Sequence, residues 1–161
     1  MTGITRQGWA AYAIALFIIV TDQLSKFWIL KVLRLPEQSP YEVFWPLQFT
    51  RIWNDGVSFG LFQAGHDLVR WGLVVFSVGV AILLAFWARR NVRMLQALGL
   101  GLVMGGAIGN AIDRARFGAV VDFIDVQRIG FFPWIFNIAD SGITIGVILL
   151  LLDSLRRERP A

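Results

Sequence analysis

The 161-residue chain contains no cysteine and a single histidine, His66. The first absence removes disulfides, thiolate–metal sites and a cysteine nucleophile, and the second removes any multi-histidine zinc site. No stripe of basic residues interleaved with aromatics occurs, so the net charge of +4 does not point to nucleic acid. The basic residues lie mostly at the ends of apolar runs, where a membrane protein meets lipid headgroups. What is abundant is apolar: 57% of residues are hydrophobic, with 16 glycines besides, and the mean hydropathy is +0.63. Soluble domains average roughly 45–50% apolar even with glycine counted. A chain of one-domain length cannot hide that much apolar surface, so lipid is its expected solvent.

Four runs are long enough to cross a bilayer, which takes about 20 mainly apolar residues. They cover about 9–33, 68–88, 94–112 and 135–153 of a single membrane domain. The first resembles the start of a secretory signal, but no small-x-small cleavage site follows. Asp22-Gln23-Leu24-Ser25-Lys26 and further apolar residues come instead, so a retained helix is expected. Of the 15 basic residues, Arg6, Arg89, Arg90, Arg93, Arg156, Arg157 and Arg159 fall on the side of the termini, which leaves the raw count undecided. The compact clusters Arg89–Arg93 and Arg156–Arg159 flank spans and are expected in the cytoplasm, with both termini.

The two outer segments, about 41–62 and 114–134, have structure of their own. From Val43 to Trp53 the residues alternate imperfectly, as in a strand with one apolar face. Asn54-Asp55-Gly56 supplies turn chemistry, and Val57 to Phe62 is expected to return as a second strand. This predicts a small hairpin at the membrane surface, with Trp45 and Trp53 in the interface. Val120 to Val126 has strand character too. The fold class is therefore an all-α integral membrane protein, a four-transmembrane-helix bundle with a small extracytoplasmic β-hairpin or cradle. Gly101, Gly105 and Gly109 share one face of the third helix and are read as packing positions.

Ionisable and amide groups inside spans are costly and should face the bundle or a wet cavity. Asp22 and Lys26 are four apart on one helix face, in the favourable order for an ion pair, and read first as structural support. Asn110 and Asp113 are i,i+3 neighbours at the end of the third helix, beside Arg114. Asn137 and Asp140 repeat that spacing at the start of the fourth, and Ser141 and Thr144 continue the face. Asp140, set in apolar sequence, has the weakest structural reason to be there. Asp122 and Asp125 point to opposite faces of a strand, so only one can meet Asp140. Two carboxylates within hydrogen-bond reach cannot both ionise near neutrality. One can then activate water while the other polarises a carbonyl. The same pair would equally suit a proton relay or a cation site, and spacing does not separate these options. A triad through His66 has no motif around it, and Ser25 and Lys26 diverge on one helix.

Five blocks in order carry a resemblance across nearly the whole chain: Asp22-Gln-Leu-Ser-Lys26; Asn54-Asp-Gly56-Val-Ser-Phe59-Gly; Gly105 to Arg114; Val120-Val-Asp122-Phe123; and Phe136-Asn137-Ile-Ala139-Asp140. Together with the four spans, these resemble the lipoprotein signal peptidases, or signal peptidase II. The resemblance implies a membrane aspartyl endopeptidase of the bacterial cytoplasmic membrane that cleaves diacylglyceryl-modified prolipoproteins just before the lipidated cysteine. It implies Asp122 and Asp140 as catalytic residues, with Asp22, Lys26, Asn54, Asn110, Asp113, Arg114 and Asn137 in support. It also implies no metal or other cofactor, and an outer β-cradle. The partners expected are the prolipoprotein substrate and membrane lipids, with no nucleic acid, and the chain is expected as a monomer. Ser58 stands where family members often carry alanine, a change confined to loop packing. The competing readings are a proton-coupled transporter using Asp113, Asp122 and Asp140, and an assembly subunit docking through the glycine face.

Overall fold

The computed structural model describes residues 3–56, 67–90 and 92–157. Helix α1 (Arg6–Phe27) starts at Thr5, whose hydroxyl accepts the Gly8 N–H (3.1 Å), and ends in a π-helical turn, Trp28–Val32. Strands β1 (Tyr41–Phe44) and β2 (Leu47–Asn54) follow, then α2 (Asp67–Ala88) and α3 (Met94–Phe117). Strand β3 (Val120–Asp125), a single 3-10 turn, β4 (Ile135–Phe136) and α4 (Ile138–Arg157) complete the chain. All four helices are long and apolar enough to cross a membrane.

Helix α3 is the axis of the bundle and packs against the other three. Its buried face is built of small residues. A Cβ on Gly101 or Gly105 would lie 2.5 or 2.7 Å from a backbone carbonyl of α1, and one on Gly106 would lie 2.3 Å from a carbonyl of α4. The glycines therefore let three backbones approach within one molecule, and the face expected to serve assembly is covered internally. Large apolar side chains point outward instead, among them Phe17, Leu24, Phe76, Leu83, Phe86 and Leu151. That inside-out distribution is stable only where the surroundings are hydrocarbon.

The strands form one antiparallel sheet in the order β1-β2-β3-β4 at one end of the bundle. Here the structure departs from the sequence reading. The run 43–53 is two strands of a hairpin, broken at Trp45-Pro46, where proline offers no N–H to a ladder. The neighbour of β2 across the sheet is β3, and the expected return strand Val57–Phe62 lies outside the described residues, as does His66. Trp45 is 75% exposed at the hairpin tip, whereas Trp53 packs on Phe117 with ring centres 5.6 Å apart.

The helix ends also moved. Helix α3 runs past Ile112 to Phe117 and stops at Gly118, whose φ of 88° closes the helix in the left-handed region. Arg70 of α2 extends that end by donating to the Arg114 and Ala115 carbonyls (both 2.7 Å). Helix α4 starts late because Ile135 and Phe136 pair with β3 before Asn137 caps the helix.

The β2–β3 register contains one further irregularity. Phe49 faces Ile124 but Ile52 faces Asp122, so Thr50 and Arg51 together oppose Phe123. This one-residue bulge explains the imperfect alternation seen in the sequence. The carbonyl of Arg51 accepts the Gln38 N–H (3.0 Å), in an isolated parallel bridge between Glu37 and Arg51.

Candidate active site

Asp122 lies on β3 and is 1% exposed. Asn54 donates to its Oδ2 (2.9 Å) and Asn137 donates to its Oδ1 (2.6 Å). Asn54 reaches it as the diagonal cross-strand neighbour, since Ile52 is directly opposite. The other end of the Asn54 amide is held by the Gly56 N–H (2.9 Å), in a turn that glycine closes with φ of 100°.

Asp140 is the third residue of α4. Its N–H donates to Asn137 Oδ1 (2.9 Å) and its Oδ2 faces the Asn137 N–H (3.3 Å). That reciprocal pattern is a capping box, with Asp in the place usually taken by Glu. Its Oδ1 accepts from Asn110 (2.8 Å), and Asn110 Oδ1 accepts from Asn137 (3.2 Å). Two amides, Asn137 and Asn110, thus bridge the two carboxylates. Burial, with the charge of Asp140 added, pushes Asp122 up to about 7 against the lowering effect of Asn54 and Asn137.

Two cavities open on the pair. One of about 370 Å³ is lined by Trp53, Asn54, Gly56, Asp122, Gln127 and Trp134. The other, about 280 Å³, is lined by Phe132, Phe136, Asp140, Ser141, Thr144 and Ile145 and is far more apolar.

A second polar cluster lies deeper. Lys26 Nζ sits 2.8 Å from Asp22 Oδ2 and 2.7 Å from Asp113 Oδ2, all three side chains being buried. Gln23 adds bonds to Asp113 Oδ1 (2.9 Å) and Asp22 Oδ2 (3.2 Å). Arg114 stands apart, its Nε buried without a hydrogen-bond partner among the described residues, against the Asn54–Gly56 turn and in the field of Asp140, Asp122 and Asp113.

All nine residues singled out in the sequence therefore gather at one end of the bundle, in two clusters with Arg114 between turn and pair. Asp125 does not join them. It takes bonds from Gln48 (2.6 Å), Thr50 (2.6 Å) and the Gln127 N–H (2.9 Å) on the opposite face of β3. Burial pushes Asp125 up, but these donors and Arg128 outweigh it and hold the carboxyl below its ordinary range. Gln23, Gln48, Thr50 and Arg70 escaped the sequence reading. Gln23 alone carried a signal, as a polar residue inside a span. Among the described residues, no three His, Asp or Glu side chains converge as a metal site would require.

By fold and site this is a multi-pass membrane protein with a buried carboxylate, Asp122, bridged to a half-buried one, Asp140, each lining a cavity, an arrangement suited to hydrolysis at a membrane surface. Comparison with known proteins makes the class specific. The family model for signal peptidase (SPase) II matches residues 14–156. A lipoprotein signal peptidase of Caulobacter vibrioides is 53% identical over 156 residues, covering 96% of this chain and 92% of that one. One from Methylorubrum extorquens is 44% identical over 138 residues, covering 86% and 81%. A solved bacterial membrane enzyme, determined in meso at 2.3 Å, superposes with a TM-score of 0.81 at 29% identity, covering 100% of this chain and 99% of its own. The chain belongs to the signal peptidase II family and is a bacterial membrane peptidase.

Proposed function

We propose that the chain removes the signal peptide of diacylglyceryl-modified prolipoproteins by cutting the peptide bond before the lipidated cysteine, with Asp122 and Asp140 as the catalytic pair. The observation that carries this is the bridge Asp122–Asn137–Asn110–Asp140, which fixes a buried and a half-buried carboxylate, one on a more polar and one on a more apolar cavity. The pair holds one proton below about pH 7. The ionised carboxylate takes a proton from water as the water oxygen bonds to the scissile carbonyl carbon, while the protonated one donates to the carbonyl oxygen. As the tetrahedral intermediate collapses, one hydroxyl returns its proton to the second carboxylate, the C–N bond breaks, and the amine of the cysteine leaves with the proton held by the first carboxylate.

The apolar cavity beside Asp140 suits the lipid chains or the hydrophobic segment of the substrate, and the polar cavity suits its extended backbone. Asn54 and Arg114 Nε, which has no hydrogen-bond partner among the described residues, are the donors for substrate carbonyls. With the clusters Arg89–Arg93 and Arg156–Arg159 cytoplasmic, both termini are inside and the sheet and site face outward. The chain then works as a monomer in the cytoplasmic membrane, where substrate acyl chains hold the scissile bond at the depth of Asp140.

The test is cleavage of a diacylglyceryl-modified prolipoprotein in detergent micelles by wild type, Asp122→Asn and Asp140→Asn. Cleavage by wild type and near-total loss in both folded variants is expected. Full activity in either variant removes the pair. An inactive folded wild type removes the reading and makes proton flux in liposomes the next measurement.

A further inference from the structure

We propose that Lys26, Asp22 and Asp113 form a single brace that sets the placement of the two carboxylates of the pair, each through the residue ahead of it. The inference rests on the assignment of Asp122 and Asp140 above. Asp22 Oδ1 accepts the N–H of Ala139 (3.0 Å), and Asp113 Oδ2 accepts the N–H of Val121 (3.1 Å). Those are the residues immediately before Asp140 and Asp122. The remaining capacity of the two acids converges on one ammonium, Lys26 Nζ, at 2.8 and 2.7 Å. Helix α4 and strand β3 are thereby tied at their reactive positions to one point on α1. Gln23 fills the rest, and every carboxylate oxygen of the cluster has a donor.

An ion pair serving only to cancel charge would not need these particular backbone contacts. Three buried charges are costly, and an apolar cluster of equal volume would hold the helices at least as well. What an apolar cluster lacks is direction: it cannot grip two amides and fix the distance between them. The space is also reserved. A Cβ on Gly109 would lie 2.8 Å from Asp22 Oδ2, so glycine there admits the carboxylate. Lys26, Asp22 and Asp113 are accordingly positioning residues, acting on the reaction through Val121 and Ala139.

The experiment measures kcat, KM and the pH profile for a diacylglyceryl-modified prolipoprotein in detergent. It compares wild type with Lys26→Met, Lys26→Met/Asp22→Asn and Asp113→Asn, and carries Asp122→Asn alongside. The double variant restores the charge balance but not the bridge. Asp113→Asn leaves Lys26 paired with Asp22 and weakens only the Val121 arm. A displacement of about 1 Å at reacting groups costs about 100-fold, so kcat in the folded Lys26 variants should fall about 100-fold with KM little changed. Asp113→Asn should fall about 10-fold, as expected for loss of a charge-assisted bond. Among the described residues, the charges acting on Asp122 are those of Asp140 from α4, Lys26 from α1 and Arg114 from α3, while Asn54 of β2 and Asn137 contact it as neutral donors. Losing the lysine alone should therefore raise the alkaline edge of the pH profile in Lys26→Met, which a purely structural role would not do. Wild-type kcat in the folded double variant or in Asp113→Asn, or a loss lying wholly in KM, overturns the brace. An inactive wild type or an active Asp122→Asn overturns the function instead, so the two failures are distinguishable.

Discussion

Replacing Gly106 with alanine would force α4 away from α3 at the point nearest the site. The new Cβ would lie 2.3 Å from the Ala139 carbonyl oxygen and 2.7 Å from Ile143 Cγ1, where ordinary contact begins at 3.4 Å. The first obstacle is backbone, which has no rotamer to change, so relief requires α4 to move by about 1 Å. Ala139 is the residue before Asp140, and its N–H is held by Asp22. Movement there either stretches that bond or carries Asp140 away from Asn110. Overpacking of this kind costs about 1–3 kcal/mol of stability, and about 1 Å of misplacement costs about 100-fold in rate. The expected outcome is a folded protein with a lower melting temperature in detergent and kcat down about 100-fold. Gly79→Ala on α2 is the control, since a Cβ there meets nothing within 4 Å, and it should behave as wild type. Unchanged turnover in Gly106→Ala would refute the claim that α4 is held at its limit of approach.

Three further outcomes follow from the geometry. With Asp122 raised to about 7, kcat/KM should fall as pH rises through about 7, because the pair then loses its last proton. Asn54→Ala removes a donor that lowers Asp122. That edge should move upward and kcat should drop about 10-fold, the value of a hydrogen bond to a charged group, as read from a pH–rate profile. Asp125, held below its ordinary value, contributes stability that is present above the unfolded carboxylate value and is lost as pH falls through the folded one. Melting temperatures measured down the acid range should fall for wild type and change less for Asp125→Asn. Equal acid sensitivity of the two would show that the Thr50 and Gln48 bonds carry no stability.

The four spans were legible because twenty-residue apolar runs have few alternatives, and the buried acids stood out because lipid makes them expensive. Asp22 and Lys26 could be paired from helical spacing alone, and Asp122 could be separated from Asp125 by the period of a strand. What spacing could not reveal was which elements meet. Asn137 reads locally as a helix start, but its amide also reaches Asp122 from another element. Lys26 reads as the partner of Asp22, and only the packing of α3 brings Asp113 within 2.7 Å. The run 43–53, read as one strand, is two strands parted at Trp45-Pro46, and β2 pairs on its other side with β3, some seventy residues on. A pairwise ladder between distant segments leaves no trace in either segment alone.

The bulge at Thr50 and Arg51 gives β2 two reading frames. Before it, Gln48 and Thr50 share a face with Asp125, and after it, Ile52 and Asn54 share a face with Asp122. All four are even-numbered and would lie on one side of a regular strand. Pairing the same residues without the bulge would turn Asn54 toward the face of Asp125 and strip Asp122 of its donor, with every side chain of the site still in the chain. The spare residue thus apportions one strand between two carboxylates, one for anchoring the sheet and one for chemistry.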